Sequence, residues 1–219
     1  FDLTVQDELA KIPGGPVAYW ATPKLLLGFD SPKIGSLTKG EGKNITADND
    51  RFLRFFWEVS AEGVGRDKKW LTYAKGGESR KWAGNLDHVV NWSVQARSFY
   101  RSNPSSRIIG SAFWYLPGVT WTVISSAGTG FRFLPADTTF DTKGLALFFD
   151  HDEDLVRALL LLNSIVGQSY LATLNQTFCI NTIDVKAIPC STAIDPQEDS
   201  LQTLIDCCTR DWNAYERSW

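Results

Sequence analysis

Val119-Thr120-Trp121-Thr122-Val123-Ile124-Ser125, then Phe131-Arg132-Phe133-Leu134 and Leu145-Ala146-Leu147-Phe148-Phe149, are the runs whose reading settles the fold class. Each is short, rich in β-branched and aromatic residues, and bounded by Gly, Pro, Asn or Ser, which is how strands rather than helices are punctuated. Outward from them the pattern recurs at Trp70–Tyr73 and His88–Trp92. Strands of about five residues at such spacing predict a curved, mostly antiparallel sheet. Further upstream, Leu53, Phe55, Trp57 and Val59 alternate with Arg54 and Glu58, which predicts a half-buried strand from Phe52 to Val59. Gly35 to Asn49 reads as a loop-rich region with one short strand, and Leu25, Leu26 and Leu27 mark a short amphipathic helix within Tyr19 to Phe29.

The periodicity changes at Asp150. Asp152, Glu153 and Asp154 sit where negative charge favours a helix N-terminus, and Leu155 to Leu174 then run at helical spacing. Arg157, Asn163 and Gln168 make this stretch a buried helix rather than a membrane span, because such groups are costly in hydrocarbon. After Pro189, Asp195 to Trp219 predicts a more polar helix with Leu201, Leu204, Ile205, Cys208 and Trp212 on one face. The expected class is α+β, a curved sheet with flanking helices followed by C-terminal helices. Residues 1–16, closed by the breaker Pro13-Gly14-Gly15-Pro16, form a lead-in segment. Residues 17–190 are the main domain and 191–219 the C-terminal helix.

An apolar fraction of 43% and a charged fraction of 21% exclude disorder. The absence of Met, together with Phe1 as first residue, leads to the expectation that the chain is an excised piece of a longer protein. Cys179, Cys190, Cys207 and Cys208 lack the Cys-x-x-Cys spacing of zinc and redox sites and read as structural. Sequons at Asn44, Asn91 and Asn175 are unsupported by any signal peptide. The net charge of −3 hides an asymmetry: residues 66–107 hold nine Lys and Arg against three acids, whereas 150–219 hold four against eleven. The two regions face different partners.

No phosphate loop, His-Glu-x-x-His, Gly-x-Ser-x-Gly or Pro-Asp-x-Glu-x-Lys pattern is present, and neither His88 nor His151 has neighbours that complete a metal set. Gly128-Thr129-Gly130, between two predicted strands, reads as a hairpin turn rather than a nucleotide loop. The Asn/Asp-Pro-Pro-Tyr tetrapeptide with which amino-group methyltransferases hold an adenine is also missing. No catalytic centre is therefore expected in this chain. The informative segment is Lys68 to Asn85, where Lys68, Lys69, Lys75, Arg80 and Lys81 interleave with Trp70, Tyr73 and Trp82 around Gly76-Gly77. Such a pattern suits a phosphate backbone, since cations displace condensed counterions and backbone amides can approach phosphate oxygens. A solvated hairpin with a Trp anchored in the core would show the same composition. Arg97, Arg101 and Arg107 extend the positive run into a loop where an Arg could reach guanine O6 and N7.

The order Ile12-Pro13-Gly14-Gly15-Pro16, Thr46-Ala47-Asp48-Asn49-Asp50-Arg51-Phe52, Lys75-Gly76-Gly77-Glu78-Ser79-Arg80-Lys81-Trp82, Gly118-Val119-Thr120-Trp121, Leu162-Asn163-Ser164, Ile183 to Pro189 and Asp211 to Trp219 resembles the PglX family. These are adenine-specific DNA methyltransferases of BREX phage-defence systems, similar also to YeeA-type restriction-methylase subunits. Asn181 to Pro189, followed by a helix, is similar to the close of target-recognition domains in type I specificity subunits. Ala83 departs from the Tyr that relatives carry before Gly84-Asn85, and the loop around Arg101 is individual. The resemblance implies a module of a bacterial, cytoplasmic enzyme that recognises double-stranded DNA, while S-adenosylmethionine is bound by the methyltransferase domain elsewhere in the parent chain.

Phosphate anchoring is then expected from Lys68, Lys69, Lys75, Arg80 and Lys81, and base readout near Arg101, Arg107 and Arg132, with Trp82 as a core anchor. The rival expectation is a protein-interaction module whose acidic tail, with Trp212, Tyr215 and Trp219, docks the catalytic domain or another defence component. A nuclease fits less well, for want of a clustered Asp, Glu and Lys set.

Overall fold

A computed structural model describes residues 9–192 and 195–214. Among them are two four-stranded sheets flanked by helices. The strands are β1 (Thr38–Gly42), β2 (Leu53–Phe55), β3 (Trp70–Ala74), β4 (His88–Asn91), β5 (Gly118–Trp121), β6 (Phe131–Leu134), β7 (Thr138–Phe140) and β8 (Ala146–Phe149). The helices are α1 (Pro23–Gly28), α2 (Ile34–Leu37), α3 (Asn49–Phe52), α4 (Val94–Ser102), α5 (Asp152–Asn163), α6 (Ile165–Leu174), α7 (Thr182–Lys186) and α8 (Glu198–Asn213). The first sheet, in the order β1-β8-β5-β6, is antiparallel throughout. The second, β2-β4-β3-β7, is antiparallel except where β7 lies parallel to β3, with Thr72 opposite Thr138.

The α+β class and the mostly antiparallel pairing are as expected; the strands divide between two sheets. Three apolar clusters account for the division. Trp121, Phe131 and Leu147 of the first sheet pack with Leu155, Leu159 and Leu162 of α5 and with Val185 and Leu201 from α7 and α8. Leu53, Leu71, Tyr73 and Val90 of the second sheet pack with Ala96 and Tyr100 of α4. Ala74 and Phe140 of the second sheet meet Leu134, Ala146 and Phe148 of the first, so the sheets share a core. Burying apolar area at this seam, at about 25 cal/mol per Å², ties the two units together.

Several elements differ from expectation. The strand predicted over Phe52–Val59 is β2 alone, because Glu58 turns back to accept the Phe55 N–H at 2.6 Å and closes a short 3₁₀ turn over Phe56–Glu58. The long apolar helix is two helices bent by 76°, and no single helix among the described residues is long and apolar enough to cross a membrane. The break falls at Ser164, whose hydroxyl accepts the Gly167 N–H at 3.1 Å and caps α6. A Cβ on Gly167 would lie 2.0 Å from the Leu161 carbonyl oxygen, so only glycine permits the tight corner. The helix expected over Asp195–Trp219 spans Glu198–Asn213 among the described residues, and Tyr215 and Trp219 lie outside them. Asn44, in one of the sequons, is buried and donates to Thr139 Oγ1 and the Phe140 carbonyl, so its amide serves packing.

Candidate nucleic-acid interface

The helix α4 begins at Ser93, an extended residue whose hydroxyl accepts the Ala96 N–H at 3.3 Å, and it holds no acidic residue in its first turn. Ala96 and Tyr100 point into the second core; the Tyr100 hydroxyl donates to the Asn91 carbonyl at 2.8 Å and anchors the helix to β4. That anchoring leaves Arg97 and Arg101, one turn apart, over the same indole: their guanidinium carbons stand 5.0 and 5.5 Å from the Trp114 ring centroid. Trp114 itself is fixed by its Nε1–H to the Ile109 carbonyl at 2.9 Å and by an edge contact with Trp92 at 5.4 Å. Next to it, Arg66 lies 4.8 Å from the Tyr115 ring centroid.

Lys68 and Lys69, both exposed, line a groove of about 410 Å³ with Arg97, Asp67, Val94 and Gln95, above the buried Trp92. Lys69 is held 5.2 Å from the Trp70 ring centroid. Among the described residues the buried Trp92 Nε1–H has no hydrogen-bond partner. The structure therefore gathers Lys68, Lys69 and Arg101 of the predicted residues into one cationic neighbourhood with Arg66 and Arg97, which the candidate set did not include. Their shared signal in the sequence is the positive run of residues 66–107, but only tertiary packing sets their rings beside one another.

The other predicted residues go elsewhere. Lys75 is half-buried in a separate groove of about 380 Å³ with Arg54, Glu58 and His88. Burial and then the Lys75 charge lower the His88 pKa, against the opposing pull of Asp141 and Glu58. Arg107 lies at the surface with its guanidinium donating to the carbonyls of Pro104 and Ser106, at 2.7 and 2.6 Å. Lys81 donates to the Asn163 carbonyl at the end of α5, at 2.9 Å. Arg80 pairs with Asp211 at 3.4 Å and lies over Trp212, 5.0 Å from its centroid.

Arg132 is buried, with 1% of its surface exposed, and donates to the carbonyls of Arg80 and Gly130 and to Thr122 Oγ1 at 3.3 to 3.5 Å. Burial, then the charge of Arg80, draws its pKa down to about 10. Its side chain is committed to the interior, away from any surface on which a base could be read. Trp82 packs against the first core as a partly buried ring, and its backbone pairs with that of Phe131 and Phe133. The glycines of Gly128-Thr129-Gly130 lie in the connection between antiparallel β5 and β6, as a turn requires. A Cβ on Gly130 would lie 2.2 Å from the Arg80 carbonyl oxygen, so the loop is closed against protein backbone at that residue, whereas one on Gly128 would meet nothing within 4 Å.

The molecule is an α+β module in which Arg66, Lys69, Arg97 and Arg101 lie on aromatic rings, and along its whole length it is similar to segments of adenine-specific methyltransferases. One is PglX of Lacticaseibacillus casei strain Zhang, 32% identical over 234 residues that cover 99% of this chain and 20% of the relative. Another is BrxX of Escherichia coli O9:H4 strain HS, 31% identical over 226 residues, covering 100% of this chain and 18% of the relative. The PglX resemblance read from the motifs is thus borne out, and the chain spans about a fifth of the length of the curated relatives it matches. No family model matches the chain.

Proposed function

We propose that this chain is the sequence-specific double-stranded DNA recognition module of an S-adenosylmethionine-dependent adenine-N6 methyltransferase acting in BREX-type phage defence in the bacterial cytoplasm. The observation that supports it is the grouping of Arg66, Lys68, Lys69, Arg97 and Arg101 around the exposed side of α4, with three of the five stacked on Trp114 or Tyr115. Cations held on rings lose little freedom when they meet phosphates, and each phosphate neutralised releases condensed counterions. By holding the duplex in register, the module lets a catalytic domain of the same parent chain flip the target adenine out of the stack. In this reading the methyl donor and the adenine are bound in that domain.

Fluorescence anisotropy of the chain with random duplex DNA at about 50 and 200 mM salt tests the reading, beside a Lys68/Lys69/Arg97→Ala variant. Affinity should fall steeply with salt and be largely lost in the variant. A well-folded chain that binds no duplex at the lower salt would sink it and favour the protein-docking alternative.

A further inference from the structure

The solvent face of α4 carries more than charge. Val94, Gln95, Ser98, Arg101 and Ser102 are exposed, at the spacing of a single helical face, while Ala96 and Tyr100 are buried opposite. No residue of this helix is acidic, and the one carboxylate among the residues lining the adjoining groove is Asp67. The nine residues of α4 rise about 13 Å, against a B-DNA major groove about 12 Å wide. Gln and Arg are the side chains whose forked ends match adenine N6/N7 and guanine O6/N7. Arg101 is already oriented by Trp114, so little freedom remains to be lost when its fork engages a base.

We propose that α4 is the element that enters the major groove, with Gln95 and Arg101 reading base edges, while Lys68, Lys69 and Arg97 hold the flanking phosphates. This rests on the DNA-recognition reading above. Gln95 and Arg101 are separated by about 9 Å along the helix, and base pairs are stacked at about 3.4 Å, so the two read positions about two to three base pairs apart. A phosphate contact weakens all sequences alike, whereas a base contact changes their ranking.

The test is selection of bound duplexes from a randomised pool by the chain, by Gln95→Ala, by Arg101→Lys and by Lys68/Lys69→Ala, each first shown to keep its circular dichroism and melting temperature. Arg101→Lys keeps the charge but loses the fork, so it should lower preference for guanine at one position about tenfold or more, a larger loss than it causes in affinity for random DNA. Gln95→Ala should relax an adenine preference two to three positions away. Lys68/Lys69→Ala should weaken every sequence with unchanged ranking and reduce the salt slope by nearly two. A wild-type chain without sequence preference, or Gln95 and Arg101 variants that leave ranking untouched, would overturn the assignment of α4 and leave DNA binding standing. A wild-type chain that binds no duplex would overturn the DNA reading itself.

Discussion

The guanidinium of Arg80 lies 5.0 Å from the ring centroid of Trp212, so a cation from the basic segment clamps the C-terminal helix. Gly84 completes the seat: a Cβ there would lie 3.1 Å from the indole Cε3 and 3.3 Å from Arg80 Cδ. Trp212→Ala should cost about 1–2 kcal/mol through loss of this stacking and hasten amide exchange in Glu198–Asn213. Asp211 is 67% exposed, so Asp211→Asn should change stability by only a few tenths of a kcal/mol. Urea unfolding and hydrogen exchange on both variants check the contrast.

Asn163 acts as a strand partner for Phe131. Its Nδ2–H donates to the Phe131 carbonyl at 2.9 Å and its Oδ1 accepts the Phe131 N–H at 3.1 Å, deep in the protein. Asn163→Leu removes the acceptor of the buried Phe131 N–H, while the Phe131 carbonyl keeps the Trp82 N–H at 2.8 Å, and should cost about 1–3 kcal/mol, read as a lowered denaturation midpoint with unchanged slope.

Arg132 gives the opposite expectation. Its buried charge is disfavoured, and its hydrogen bonds are long, so Arg132→Met should leave stability within about 1 kcal/mol or raise it. DNA affinity and sequence ranking should not change, because the side chain does not reach the surface. Altered sequence preference in this variant would contradict its interior placement.

His88 supplies a pH dependence. Its folded pKa lies below the ordinary 6.5, so as pH falls through 6.5 the unfolded chain takes up the proton first and stability declines toward the folded pKa. Above the ordinary value the contribution is fully present. Denaturant midpoints at pH 7.5 and about 5.5 should fall further for the wild type than for His88→Phe, which keeps the ring contact with Phe55.

Gly130→Ala should displace the segment around Arg80, since the new methyl would meet that residue's carbonyl oxygen. A loss of about 1–3 kcal/mol is expected, with increased proteolysis near residues 78–85 as the second readout.

Local chemistry was enough to place the strands at Trp70, His88, Val119, Phe131 and Leu145, the acidic start of α5 and the apolar stripe of α8 through Leu201 and Ile205. Those features are written in residues a few positions apart: alternation, helical spacing, turn residues and charge near a helix terminus. The corner at Ser164 was also local, yet the apolar run on both sides masked it, because its hydroxyl cap shows only once Gly167 is folded against Leu161.

Which cations share a surface was a tertiary matter. Lys68, Arg80 and Arg132 look alike in a basic stretch, but their surroundings come from elements far away in the chain. Lys68 lies beside α4, Arg80 is captured by Trp212, and Arg132 is enclosed between Arg80, Gly130 and Thr122. Composition thus specified an α+β module with a positive segment, while long-range packing selected the cations left available to a partner. Burial and pairing depend on what closes over a side chain, and no spacing along the chain encodes that directly.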